Sequence, residues 1–268
     1  MKKIAYLILI LVLISCQKED TDAIPAYVKI DRITLDEGNT TENITDAWVY
    51  LNDQLQGVYE LPAKFPVLEK NIHTLRVKAG IKSNGIASSR IPYPFYASFF
   101  EEVTFIPNKT INITPIVNYL DSINNWKEDF EGTGLNIDTD SLSFSIESLE
   151  GNEYGKISLE DSMYLSEITT FELYDLPQAG APVYLELDYR NNTKFLVGVY
   201  INYPQSVVVQ KDLLWISPKE DWNKIYVNLT STISEGVNAT SFKVFIGMKR
   251  DYSMDKNELL FDNLKVVY

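Results

Sequence analysis

The chain has 268 residues, one cysteine, one histidine and 24 Lys and Arg against 37 Asp and Glu, a formal charge of −13. That balance argues against a nucleic-acid partner, because phosphate binding depends on clustered Lys and Arg. The lone histidine confines any Ser-His-Asp triad to His73, and it excludes a zinc site built on two histidines. At 45% hydrophobic and 12% aromatic, the chain has material for packed cores, and its length implies about two domains.

Lys2 and Lys3 precede an apolar run, Ile4 to Ile14. A bilayer-spanning helix needs about 20 apolar residues, so residues 1–15 have the length and flanks of a secretory signal. Leu13-Ile14-Ser15-Cys16 resembles a bacterial lipobox. That resemblance implies lipidation at Cys16, with palmitate among the acyl groups and Cys16 as the first mature residue. Several acyl chains would hold the protein on a membrane where one would not. Loss of Lys2 and Lys3 takes the charge from −13 to −15, and the lipidated chain keeps no thiol for a disulfide or a nucleophile. Gln17, Lys18, Glu19 and Asp20 resemble the lipoprotein export signal of Bacteroidota, which implies an outer-membrane protein facing the cell exterior. Residues 16–25 read as a tether ended by Pro25.

Beyond residue 20 the recurring pattern is period-two alternation, that of half-buried strands. Leu75, Val77, Ala79 and Ile81 alternate with polar residues, as do Leu142, Phe144 and Ile146. Val183, Leu185 and Leu187 alternate with Tyr184, Glu186 and Asp188. Turn signals such as LNDQ, KSNG and EGTG punctuate the runs. The expected fold is all-β: two antiparallel β-sandwiches, at 26–117 and 126–268, joined by a polar linker at 118–125.

In the first block, Asn52-Asp53, Gly57, Pro62 and the strand His73-Thr74-Leu75-Arg76-Val77 resemble a PEGA-type immunoglobulin-like module. That implies structure or docking without chemistry, and it gives His73 a structural role.

The second block resembles the jelly rolls of carbohydrate-binding modules and galactose-binding-like domains. The resemblance rests on Phe130-Glu131-Gly132 in an opening strand, the tryptophan-led DWNKIYVNLT, and the closing LLFDNLKVVY. It implies a structural calcium held by Glu131 and Asp262, with Asp129 as a third ligand. It also implies aromatic platforms for sugar, for which Trp215, Trp222, Tyr203 and Tyr252 lie in or beside loops; the plainer reading is that these tryptophans complete the core. An apolar run, Val207 to Val209, in a protruding connection would suit protein contact. Asp121-Ser122-Ile123, Asp140-Ser141-Leu142 and Asp161-Ser162-Met163 resemble short O-glycosylation acceptors of Bacteroidota.

The favoured reading is a non-catalytic lipoprotein serving as accessory or scaffold subunit of an outer-membrane protein complex. The alternative is a glycan-binding lipoprotein that uses the jelly roll. A hydrolase, needing two carboxylates across a cleft, ranks last. Buried tryptophans beside an exposed apolar strip would favour the scaffold, and convergence of Trp215, Trp222 and Tyr203 on an open concave face would favour the glycan.

Overall fold

The computed structural model describes residues 24–36, 41–139, 142–160 and 162–268. Cys16 and the 17–20 tract lie outside them, as do Asp140, Ser141 and Asp161 of the acceptor motifs. The chain is all-β, with one short α-helix, α1 (Thr230–Glu235), and one 3-10 turn, Pro204–Ser206, among the described residues. No described helix is long and apolar enough to cross a membrane.

The first core is built by β1 (Ala26–Ile30), β2 (Thr34–Leu35), β3 (Asp46–Leu51), β4 (Gln54–Glu60), β5 (Ala63–Val67), β6 (Asn71–Lys82), β7 (Arg90–Pro92), β8 (Phe99–Phe105), β9 (Thr110–Ile113) and β10 (Ile116–Val117). One layer runs β5-β1-β9, and the other runs β4-β3-β6-β7 with β8 also on β6. Two pairs, β1 with β9 and β2 with β10, are parallel where antiparallel pairing was expected. Leu75, Val77, Ala79 and Ile81 are all buried, as alternation predicts. Asn52 and Asp53 both take positive φ in the two-residue β3–β4 turn, a backbone that Asn and Asp tolerate best after glycine. His73 braces that turn: its Nδ1 accepts from Asn52 Nδ2 at 2.8 Å and its Nε2 donates to the Lys70 carbonyl at 2.8 Å. The lone histidine is therefore occupied on both nitrogens.

The second core is a two-layer sandwich. Its six-stranded sheet contains β13 (Phe144–Leu149), β14 (Asn152–Leu159), β21 (Asn257–Val267), β16 (Tyr184–Asn191) and β19 (Lys219–Asn228), with β11 (Asn125–Glu128) also on β21. Its five-stranded sheet runs β12 (Ile137–Thr139), β15 (Leu165–Thr170), β20 (Ser241–Lys249), β17 (Phe195–Tyr203) and β18 (Val207–Ile216). Leu185 and Leu187 of one layer and Val197, Val199 and Ile201 of the other are fully buried between them. Burying such side chains stabilises by about 1.5–3 kcal/mol each. The alternation of Leu142, Phe144 and Ile146 translates into burial only in part: Phe144 of the edge strand β13 packs against the core, while Ile146 of that strand and Leu142 before it are exposed.

Residues 118–125 do not hang free between the cores. Tyr119 is buried, the Asn118 carbonyl accepts from Ala97 N–H, and Asn124 and Tyr268 exchange both backbone hydrogen bonds. At this junction the first sandwich covers one end of the six-stranded sheet. Glu186 accepts from Tyr93 Oη at 2.6 Å and Tyr119 Oη at 2.7 Å, and Lys224 Nζ lies 3.1 Å from it. Tyr96 and Tyr226 hydroxyls meet at 3.1 Å. Burial, with Glu186 beside them, pushes the Tyr93, Tyr96 and Tyr119 phenols far above their ordinary range. All three stay protonated, and Tyr93 and Tyr119 donate to a carboxylate taken out of water while Tyr96 pairs with Tyr226.

Candidate functional site

The second sandwich has two outer faces. On the five-stranded sheet, β17 turns Phe195, Val197, Val199 and Ile201 into the core and Leu196, Gly198, Tyr200 and Asn202 outward. Gly198 is opposite Phe245 of β20. Without a Cβ at Gly198, the Phe245 ring lies down over the sheet, and Tyr200 packs on it with ring centroids 4.8 Å apart. Tyr200 Oη donates to both oxygens of Glu167, at 2.9 and 3.1 Å. Burial and that carboxylate push its phenol up to about 12, and burial also raises the Glu167 carboxyl.

Beside Tyr200 the face opens into a groove of about 760 Å³, walled by Tyr174, Tyr200, Tyr203, Asn202, Glu172 and Lys243 and by the turn Pro204–Ser206. Its polar groups are held in place. Asn202 Nδ2 donates to Ser241 Oγ at 3.0 Å, and Lys243 Nζ lies 2.8 Å from Asp138 and 3.6 Å from Glu172. Tyr174 is exposed, as are Val207 and Val208 at the groove's edge. Rings with fixed amide, carboxylate and ammonium groups around them can stack on an apolar ligand face and hydrogen-bond its rim.

The six-stranded sheet has a second, smaller opening of about 390 Å³ beside the junction, lined by Trp222, Tyr154, Asp188, Asp262, Asn152, Asn263 and Lys224, with Thr41 and Glu42 of the first sandwich. Burial raises the Asp262 carboxyl to about 6, and neighbouring Asp188 and Glu131 add to it.

The four predicted aromatics do not converge. Tyr203 lines the groove, Trp222 stands in the junction pocket, and Trp215 lies opposite Leu196 at the far end of β18 from the groove. Tyr252 sits in the β20–β21 turn under the Arg250 guanidinium. Trp215 and Trp222 are 48% and 40% exposed, so the tryptophans do not complete the core. Of the predicted calcium ligands, Glu131 stays beside Asp262, whose carboxyl it helps to raise, but each of the three is engaged by a protein partner. Asp129 pairs with Lys127 at 3.0 Å, which holds its carboxyl below the usual range, and Glu131 accepts from Glu153 N–H at 2.7 Å. Asp262 accepts from Asn152. Among the described residues no group of three His, Cys, Asp or Glu side chains could hold a metal ion. The residues present do not fit the expected calcium.

Sequence reading missed Tyr174, Tyr200, Glu167 and Asp188. Tyr200 sits in a run apolar enough to read as core, and only the cross-strand register with Gly198 and Phe245 shows that it faces outward.

No protein-family model and no curated protein matches the sequence. Among solved structures, the xylan-binding domain of family CBM22 is 12% identical over 55% of this chain and 96% of its own, with a TM-score of 0.40. The Clostridium thermocellum xylanase 10B CBM22-1–GH10 modules are 11% identical over 55% of this chain and 28% of theirs, with a TM-score of 0.40. A family 29 carbohydrate-binding module from Piromyces equi is 9% identical over 55% of this chain and 91% of its own, with a TM-score of 0.36. At these values the likeness carries no argument about function, which rests on the geometry of the two faces.

Proposed function

We propose that this chain is a non-catalytic glycan-binding lipoprotein, anchored to the outer membrane through Cys16 and presenting the outer face of its five-stranded sheet to polysaccharide. The supporting observation is the open groove in which Tyr174, Tyr200 and Tyr203 stand among Asn202, Glu172 and Lys243. Sugar rings offer an apolar face and a hydroxylated rim, and this wall offers a partner for each. The scaffold reading needed buried tryptophans beside an apolar strip. Val207 and Val208 are exposed, but so are both tryptophans, which do not converge with Tyr203, so the glycan reading rests on the tyrosine groove instead.

Affinity electrophoresis of the mature chain through gels containing soluble plant or microbial polysaccharides tests the binding. Retardation by at least one polysaccharide is expected, lost in Tyr174→Ala with thermal unfolding unchanged. Free migration in every gel, or retardation that survives Tyr174→Ala together with Tyr203→Ala, would return the scaffold reading to first place. The anchor has a separate test. Cys16→Ser should release the protein from the membrane fraction, and exchange of Lys18, Glu19 and Asp20 for alanine should protect it from protease added to intact cells.

A further inference from the structure

The glycan reading makes no use of the junction pocket, whose charges do not balance. On the outer face of the six-stranded sheet, Asp262 of β21 and Asp188 of β16 are cross-strand partners, and Lys224 of β19 is the next partner along from Asp188. Like charges directly opposite each other in a sheet repel. Glu42 and Glu150 line the same pocket, so four carboxylates face one cation. That cation is already engaged, since Lys224 Nζ is 3.1 Å from buried Glu186 and 3.9 Å from Asp188. The Asp188 side chain is only 8% exposed. Its Oδ2 accepts from Thr41 Oγ1 and Asn263 Nδ2, while its Oδ1 has no hydrogen-bond partner. A buried anionic oxygen without a hydrogen bond, its counter-charge on Lys224 3.9 Å away, carries a desolvation cost that a closer cationic donor would offset.

The opposite wall is aromatic. Trp222 and Tyr154 meet edge to face with ring centroids 5.5 Å apart, and the indole is partly open to solvent. Carboxylates with an indole beside them suit an organic cation, which gains from both salt bridges and the ring's π-face. A hard divalent ion instead wants six or more oxygens, and among the described residues no three His, Cys, Asp or Glu side chains assemble to hold one. A neutral sugar would leave the charge excess untouched. We propose that this pocket binds a small organic ammonium, its –NH3+ group taken between Asp188 and Asp262 and its carbon skeleton laid on Trp222. Thr41 and Glu42 come from the first sandwich, so the whole mature chain is needed to form the site.

Tryptophan fluorescence of the mature chain, titrated near neutral pH with glucosamine, n-butylamine, glucose and N-acetylglucosamine, tests this directly. Either amine should give a saturable change that is absent with the two neutral sugars. A response to glucosamine alone identifies an amino sugar as the carrier, and a response to butylamine alone identifies a lysine-like chain. Asp262→Asn should weaken the response at least about fivefold and Trp222→Leu should abolish it. Backbone amide shifts at Asn152 and Asn263 should report amine binding independently of the indole. No saturable response to either amine, an equal response to glucose, or an unchanged affinity in Asp262→Asn would overturn the proposal. So would an equivalent response to calcium alone. The groove on the other sheet plays no part in these readouts, so failure here leaves the glycan reading standing.

Discussion

The central strands β16 and β17 carry different lessons about the face of a sheet that looks away from the core. In β16 the outward residues Tyr184, Glu186 and Asp188 are polar and yet buried. In β17 the outward Leu196 is also buried, at 7% exposed, while Tyr200 is half-buried, and the first sandwich's core cluster includes neither. The polarity of an outward face therefore does not report its exposure. Glu186 can leave water because Tyr93 and Tyr119 bring hydroxyl donors from the first sandwich and Lys224 brings the opposite charge. Tyr200 can stay at the surface because Glu167 takes its hydroxyl and Phe245 lies beneath its ring.

The largest effect should come from the covered face. Glu186→Ala leaves Lys224 buried with its nearest remaining acid 3.9 Å away and strands two tyrosine hydroxyls. Breaking one partner of such a pair costs about 3–5 kcal/mol, to be read from denaturant unfolding. A loss below about 1 kcal/mol would mean that water replaces the carboxylate there.

Next comes the floor of the open face. In Gly198→Ala the new Cβ would overlap the Phe245 ring and lie 2.5 Å from the Lys211 carbonyl oxygen. Overpacking of this kind costs about 1–3 kcal/mol. It should also lift Tyr200 off Phe245, visible as a shifted phenol titration, since that hydroxyl now titrates near 12.

The junction pocket gives a smaller, pH-dependent effect. In the folded chain the Asp262 carboxyl is raised from 3.8 to about 6. The folded state therefore holds this proton more tightly than the unfolded one. Its contribution to stability is fully present below the unfolded value and is lost as pH rises through the folded value. Asp262→Asn keeps one acceptor oxygen, for either Asn152 Nδ2 or the Asn263 N–H but not both, and that loss is the same at every pH. Unfolding followed from about pH 4 to about pH 8 should show the variant gaining on the parent as pH rises, by roughly 1 kcal/mol after solvent screening. A parallel profile would show that Asp262 does not carry that proton.

The smallest effect belongs to the exposed groove. Tyr174→Ala should shift stability by no more than about 0.5 kcal/mol while removing polysaccharide retardation. If unfolding changes more than retardation does, Tyr174 is a packing residue and the two faces are less different than their geometry implies.

Much of the second sandwich was legible because its inward residues, such as Val183, Leu185 and Leu187, keep strict alternation and are all buried. Asp262 fell in the expected closing strand, but β11 ends at Glu128, so Phe130-Glu131-Gly132 lie beyond the opening strand, with Phe130 at positive φ and packed on Phe261. Edge strands were less legible. Leu142 and Ile146 alternate as well as any buried run, yet no second layer lies over them. The functional residues were harder still. Trp222 and Asp262 were singled out for different chemistries and stand in one pocket, while Tyr203 and Trp215 lie on the other sheet. Nothing in a one-dimensional pattern assigns β18 and β19, joined by a short Ser217–Pro218 connection, to different layers.

By itself, then, the sequence determined the all-β class, the inward face of most strands, and that any triad would have to use His73. These depend on local period and composition, which one strand carries alone. Tertiary structure decided which outward faces are covered, which acid meets which cation, and where the tryptophans stand. Those depend on contacts between residues as distant in sequence as Thr41 and Asp188 or Tyr93 and Glu186, and no local pattern encodes them.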